Sequence, residues 1–292
     1  MSYSKLKICL MLLPLSILMA VFFIGLINGV MESFGVFPAA GLTKLTFSYY
    51  QEVFQDSGLT ASLLLSLYIS LTASVFAVAA GVLVSTAATV GGLARSKFFQ
   101  IVKLPVIVPH TVCALLMLNL FSQSGLLARI AFQIGLIQNQ EEFLSIMFDK
   151  NSFGIILAYL WKEIPFVILV VVTVMANING SLGEAAQNLG ASKWKVFINV
   201  TLPLCLPSIA TSFIIIFAYS FGAYELPFLL GATQPKALPV QAYVEYIYPD
   251  LAHRPYAMVL NSIMIVFTVF ISYFYYRLES RLKRTGGKNE PA

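Results

Sequence analysis

Ser181-Leu-Gly-Glu-Ala-Ala-Gln-Asn-Leu-Gly-Ala-Ser-Lys-Trp-Lys-Val-Phe-Ile-Asn-Val-Thr-Leu-Pro203 is a polar interruption between two long apolar runs. Its local chemistry predicts a short surface helix, a stop, and a return into an apolar phase. Ser181 and Glu184 have capping-box spacing, in which the hydroxyl accepts from a first-turn amide and the carboxylate reaches back. Ala185 and Ala186 favour helix, Leu189 shares their face, and Gly190 can end the helix at positive φ. Pro203 and Pro207 mark the start of the next run, where missing amide donors are tolerated.

The runs on either side recur along the whole chain. Of its 292 residues, 59% are hydrophobic and 11% charged, and the mean hydropathy is +0.84. A soluble domain carries roughly 25% charged residues, so this chain has too little polar surface to cover a globule in water. A membrane helix needs about 20 mostly apolar residues. Six stretches qualify: Ile8 to Val30, Leu59 to Val90 with room to tilt or bend at Gly81, Leu104 to Phe121, Phe153 to Ile178, Pro207 to Gly231, and Tyr256 to Tyr276. The first follows Lys5 and Lys7 as a secretory signal would, but it is longer than a signal core and lacks a small-residue cleavage site after it. It reads as a retained anchor.

The net charge of +5 sits in loops beside these spans, a distribution that sets membrane orientation and excludes a nucleic-acid partner. With the N-terminus inside, the cytoplasmic pieces hold Lys5, Lys7, Arg95, Lys97, Lys103, Lys193, Lys195, Arg277, Arg281, Lys283, Arg284 and Lys288. The other side holds Lys44, Arg129, Lys150, Lys236 and Arg254. Twelve against five places both termini in the cytoplasm. The longer connectors, roughly residues 31–58, 122–152 and 232–255, then lie outside. Cys9, Cys113 and Cys205 read as apolar packing residues. His110 and His253 stand alone, without metal-ligand spacing, so no metal is expected. No GxxxxGK[ST] phosphate loop occurs; Gly286-Gly287-Lys288 lacks its first Gly and its Ser or Thr.

Glu184-Ala185-Ala186, three residues, Gly190, nine residues, Val200, one residue, Leu202-Pro203 resembles the EAA loop of binding-protein-dependent ABC importer permeases, with Val200 in place of the family's Ile. From about Ala61 to Tyr276 the chain is similar to the permease core of type I importers, beginning at Ser62-Leu-Leu-Leu-Ser-Leu-Tyr-Ile-Ser-Leu-Thr-Ala. The first span is similar to the extra N-terminal helix of many members. The resemblance implies an all-α membrane protein with six transmembrane helices: an N-terminal helix and external linker over 1–58, a permease core over 59–277 containing the coupling loop 181–203, and a basic cytoplasmic tail over 278–292. It implies a bacterial inner-membrane importer subunit that is not itself an enzyme. Its partners would be a cytoplasmic ATPase dimer, a second, related permease, an external solute-binding protein and membrane lipid. This chain would bind no cofactor, and ATP and Mg would sit on the ATPase. Glu184, Ala185, Ala186 and Gly190 would form the docking helix, with Lys193, Trp194 and Lys195 either at its rim or anchoring the membrane interface. The overall pattern is most similar to the spermidine/putrescine permease branch, which implies a polyamine or another organic cation. A stand-alone secondary transporter or channel is the alternative; it would make the loop an accident.

A charged side chain inside a span is costly and faces a pathway or a partner. Lys162 and Glu163 lie about a third of the way into the fourth span, and Glu225 near the outer end of the fifth. Two readings stay open. Lys162 and Glu225 pair to order the bundle, or Glu225 lines the path near the outer gate with Tyr224, Trp161 and Lys162. Gly222 and Pro227 bracket Glu225 and predict a helix break there, of the kind tolerated where backbone lines a cavity. His110 and Asn261 read as bundle contacts through hydrogen bonds.

Overall fold

The computed structural model of the chain describes residues 2–92, 101–178 and 182–286. Among these residues it is helical, without a sheet. The helices are α1 (Ser2–Ser33), α2 (Ser48–Gln55), α3 (Ser57–Val90), α4 (Leu104–Ile107), α5 (His110–Phe121) and α6 (Leu126–Gln133). After these come α7 (Phe153–Ile178), α8 (Glu184–Asn188), α9 (Lys193–Val196), α10 (Leu202–Gly222), α11 (Glu225–Leu230), α12 (Leu238–Tyr246) and α13 (Arg254–Gly286). Six stretches are long and apolar enough to cross a bilayer: Leu10–Ser33, Ser57–Val90, His110–Gln133, Phe153–Ile178, Lys193–Gly222 and Leu251–Arg277. The expected six-span, all-α membrane protein stands. Arg95, Lys97, Ser181 and Lys288, used above for orientation and capping, lie outside the described residues.

The chain divides into two compact units. The first comprises Met1–Thr60 and Gln241–Val266. Its polar and aromatic groups interlock: Ser33 Oγ and Tyr50 Oη share a hydrogen bond of 2.9 Å, and Tyr49 meets Tyr256 edge to face at 5.1 Å. Arg254 lies over the Tyr246 ring at 4.3 Å and 3.8 Å from Glu32. From Leu10 to Phe23 the large apolar side chains of α1 are exposed, which suits a helix that faces lipid, where apolar surface needs no cover.

The second unit, Ala61–Val240 with Phe267–Ala292, is organised around α7. Of the best membrane window in each span, 61% of that in α7 is buried, against at most 33% in any other, so α7 is the central rod. A helix that is apolar all round belongs inside a bundle. One end of α7 packs Ile155, Ala158 and Tyr159 against Ile69, Cys113, Met117 and Leu226. The other packs Val167, Val171 and Met175 against Ala77, Cys205 and Ile216. α3 runs unbroken through Gly81. A Cβ at that position would lie 2.6 Å from Val167 Cγ1 and 3.4 Å from the Ile164 oxygen, so the glycine is there to let two helices touch.

Two spans depart from their expected form. The third is not one helix: α4 ends at Ile107, Val108 and Pro109 are extended, and α5 starts at His110. The 12 residues of α5 reach about 18 Å at 1.5 Å per residue, short of the roughly 30 Å of hydrocarbon. The fifth begins well before Pro207, since helix runs from Lys193 through a π-wound turn at Phe197–Thr201 into α10. It ends at Gly222, with α11 a separate short helix, as the Gly222–Pro227 bracket implied.

Gly81→Ala is expected to destabilise the detergent-solubilised protein by about 1–3 kcal/mol, the usual cost of overpacking, read as a lower melting temperature. Adding Val167→Ala should recover part of the loss. An unchanged melting temperature in the single variant would mean that α3 and α7 do not touch there.

Candidate functional site

The break between α4 and α5 has a chemical cause. In a helix the oxygen of Pro105 would accept from the amide of residue 109, but Pro109 has no N–H. The oxygen of Val108, in the extended link, lies outside the α5 ladder, whose first bond runs from Cys113 N to Pro109 O at 3.0 Å. Both oxygens are supplied by one side chain from α7. Lys162 Nζ donates to Pro105 O at 3.0 Å and to Val108 O. Lys162 is 7% exposed, and bonds from a charged donor are worth about 1.5–3 kcal/mol each.

This arrangement corrects the expected Lys162–Glu225 pair. The ammonium is committed to backbone oxygens, and Lys162 and Glu225 form no ion pair. Glu225 instead opens α11, where the helix's amide end favours a negative charge. α11 follows a break at Ala223 and Tyr224 and is pinned at its far end by Phe148 N donating to Leu230 O at 3.0 Å. Tyr224 is 39% exposed beside that break. Trp161 packs on the apolar cluster around Tyr159. Lys162 and Glu225 thus do not pair, though both act electrostatically on His110.

A different set does converge. A cavity of about 210 Å³ beside the α4–α5 break is lined by His110, Lys162, Glu163, Phe166, Ile215 and Tyr219, among others. His110 Nδ1 and Tyr219 Oη are 3.1 Å apart with their rings 4.9 Å apart, which ties α5 to α10. Glu163 is 6% exposed, and neither of its oxygens has a hydrogen-bond partner. Tyr219 was not a sequence candidate, and Glu163 was noted only as a charge in a span. The legible signal was the Pro105–Pro109 spacing, which leaves an oxygen in need of a donor.

At the other end of the unit the polar loop folds much as read. α8 opens at Glu184 and is closed by a Schellman motif. Gly190 N donates to Gln187 O at 2.9 Å and Ala191 N to Ala186 O at 3.1 Å, with Gly190 at φ +89°. The space around Gly190 is open, so its requirement there is conformational, not steric. The residue preceding α8 is Gly183. Ser192, unremarked in the sequence, caps α9 by accepting from Lys195 N at 3.4 Å. Glu184 and Ala185 are exposed, Leu189 is 90% exposed, and Trp194, stacked on Phe197 at 5.5 Å, is 63% exposed.

A span broken beside a cavity that holds a few buried polar groups, with a capped polar loop at the other end of the same unit, fits a membrane transport component. The chain belongs to the family described as binding-protein-dependent transport system inner membrane component, whose model matches residues 77–284. It is 28% identical over 172 residues to a probable molybdenum ABC transporter permease of Haloferax volcanii, covering 59% of this chain and 58% of that protein. It is 24% identical over 247 residues to the sulfate transport system permease of Escherichia coli, covering 83% and 84%. Its fold matches a chain from the crystal structure of a bacterial ABC transporter involved in the import of the acidic polysaccharide alginate, with a TM-score of 0.77, 21% identity and 96% of each chain covered. Nothing in these likenesses supports the expected spermidine/putrescine branch, and that reading is withdrawn. Its chemical support was Glu225 alone, a carboxylate already matched by the amide end of its own helix. The stand-alone transporter gains no support either.

Lys162→Met is expected to orphan the Pro105 and Val108 oxygens and to lower stability, at about 1–3 kcal/mol per unsatisfied buried group. Glu225→Gln should cost little. The double variant should be additive within about 0.5 kcal/mol, as for groups that share no bond. Rescue of Lys162→Met by Glu225→Gln would restore the ion pair rejected here.

Proposed function

We propose that this chain is a permease subunit of an ATP-driven, binding-protein-dependent importer in a bacterial inner membrane, and that its solute is a small tetrahedral oxyanion of the molybdate or sulfate kind. The observation that carries the first part is the cytoplasmic loop. Glu184-Ala185-Ala186 forms an exposed helix stopped by Gly190 in a closed Schellman turn, built to be gripped from the cytoplasm. Family membership supports the same reading. The solute class draws support from relatives named for molybdenum and sulfate.

In this reading an ATPase dimer, carrying ATP and Mg, docks on α8 of this chain and on the matching helix of a second permease. Glu184 offers the charge at the contact, Ala185 and Ala186 permit close approach, and the exposed Leu189 gives it apolar area. A solute-binding protein delivers the anion to the external connectors. Closure of the ATPase draws the two docking helices together and opens the path outward, and hydrolysis resets it. Both termini lie in the cytoplasm, on the charge bias above.

Glu184→Lys is expected to lower ATPase co-purification and solute uptake by about tenfold or more, the size of one lost charged hydrogen bond, with the permease still at its normal level in the membrane. Normal co-purification and uptake would remove the docking role. Fusions after Arg284 to a reporter active only in the cytoplasm should be active. Activity instead from a reporter that works only outside would invert the topology.

A further inference from the structure

The cavity beside the α4–α5 break presents unused hydrogen-bonding capacity. An ammonium has three N–H donors. Lys162 commits two to Pro105 O and Val108 O, and one remains. The His110–Tyr219 pair also keeps one donor in either tautomer. If Nδ1 carries the proton and donates to Oη, the phenol O–H is left over; if the phenol donates to Nδ1, the Nε2–H is left over. α5 begins at His110, so its free first-turn amides and the positive end of its dipole lie at the same place. Of the two carboxyls near these donors, Glu163 lines the cavity, buried and without a partner at either oxygen, and Glu225 at the start of α11 acts on His110, Tyr159 and Tyr219 from farther off. The other titratable groups around Glu163 are Lys162 and Tyr159 on α7, His110 and Cys113 on α5 and Tyr219 on α10.

A complementary ligand is anionic, accepts at two or more atoms, and shares one proton with Glu163. A tetrahedral oxyanion meets these conditions. The volume of about 210 Å³, against roughly 10–15 Å³ for one water, admits such an anion with part of its hydration shell. Discontinuous helices whose half-helix N-termini face anionic groups are a general way of holding solutes at membrane depth.

We propose that this cavity is an intramembrane site that the transported oxyanion occupies in passing. Lys162, the His110–Tyr219 pair and the start of α5 hold it, and one proton is shared between Glu163 and an anion oxygen. The inference rests on the importer reading above and adds to it a place and a set of contacts.

The test uses the complete transporter in lipid vesicles, this chain with its second permease, ATPase and binding protein, with radiolabelled molybdate and sulfate as probes and rates taken per assembled complex. The external binding protein sets the concentration dependence, so loss at an internal site lowers the maximal rate and leaves the half-saturating concentration unchanged. Glu163→Leu is expected to lower that rate about tenfold or more, the scale of one hydrogen bond to a charged group. Glu163→Gln, whose amide still donates, should retain more of it. Tyr219→Phe, which keeps the ring and removes the hydroxyl, should also lower it, and decides the matter if Glu163→Leu fails to assemble. Full rates in Glu163→Leu and Tyr219→Phe, or equal losses in Glu163→Gln and Glu163→Leu, overturn the site. Absence of molybdate and sulfate uptake by the unaltered transporter overturns the oxyanion reading itself, and with it the ligand assigned here.

Discussion

A backbone oxygen within a bilayer must find a donor, since no water is there to supply one. Pro105 and Pro109, one helical turn apart, leave an oxygen without its amide, and the extended Val108 leaves another outside the helical ladder. The ammonium of Lys162 answers both. Much of the second unit follows from that contact. It binds the broken third span to the central helix α7, fixes where α5 begins, and holds open the space between α5, α7 and α10. The cost of burying the charge is offset because two of its three donors have fixed partners. Without the lysine the two prolines would be a defect; with it they form a joint of defined geometry.

The spans and the polar loop were readable because both are local. Apolar runs of sufficient length must cross or be buried, and a glycine after a short alanine-rich helix has one economical use. The partner of Lys162 was not readable, because the pairing joins residues more than fifty positions apart. Matching charges by depth favoured Glu225, although a break was already expected beside it between Gly222 and Pro227. Once α10 ends at Gly222 and α11 restarts at Glu225, the carboxylate has a local explanation. Trp161 and Gly81 show the same limit. A large aromatic near a charge read as a path residue, and Trp161 lies partly buried against the core cluster. A glycine in a long helix read as room to tilt or bend, and it is also a point of close contact.

The solute was the least legible property. One intramembrane carboxylate suggested a cation, yet the relatives are named for molybdenum and sulfate. A single charge is a poor guide to the sign of a ligand when helix ends contribute partial charges of their own. Tyr219 and His110 face each other only because α5 starts where Pro109 makes it start. That geometry belongs to the fold, not to the residues taken one at a time.

The chain between the polar loop and α10 is not uniform in its winding. α8 is closed by two hydrogen bonds at Gly190, and α9 is capped by Ser192, whereas Phe197–Thr201 winds as a wider π turn. Those five residues are the only covalent route from the loop to the helix that carries Tyr219, so a displacement of the loop that travels along the chain passes through the π turn before it meets the cavity.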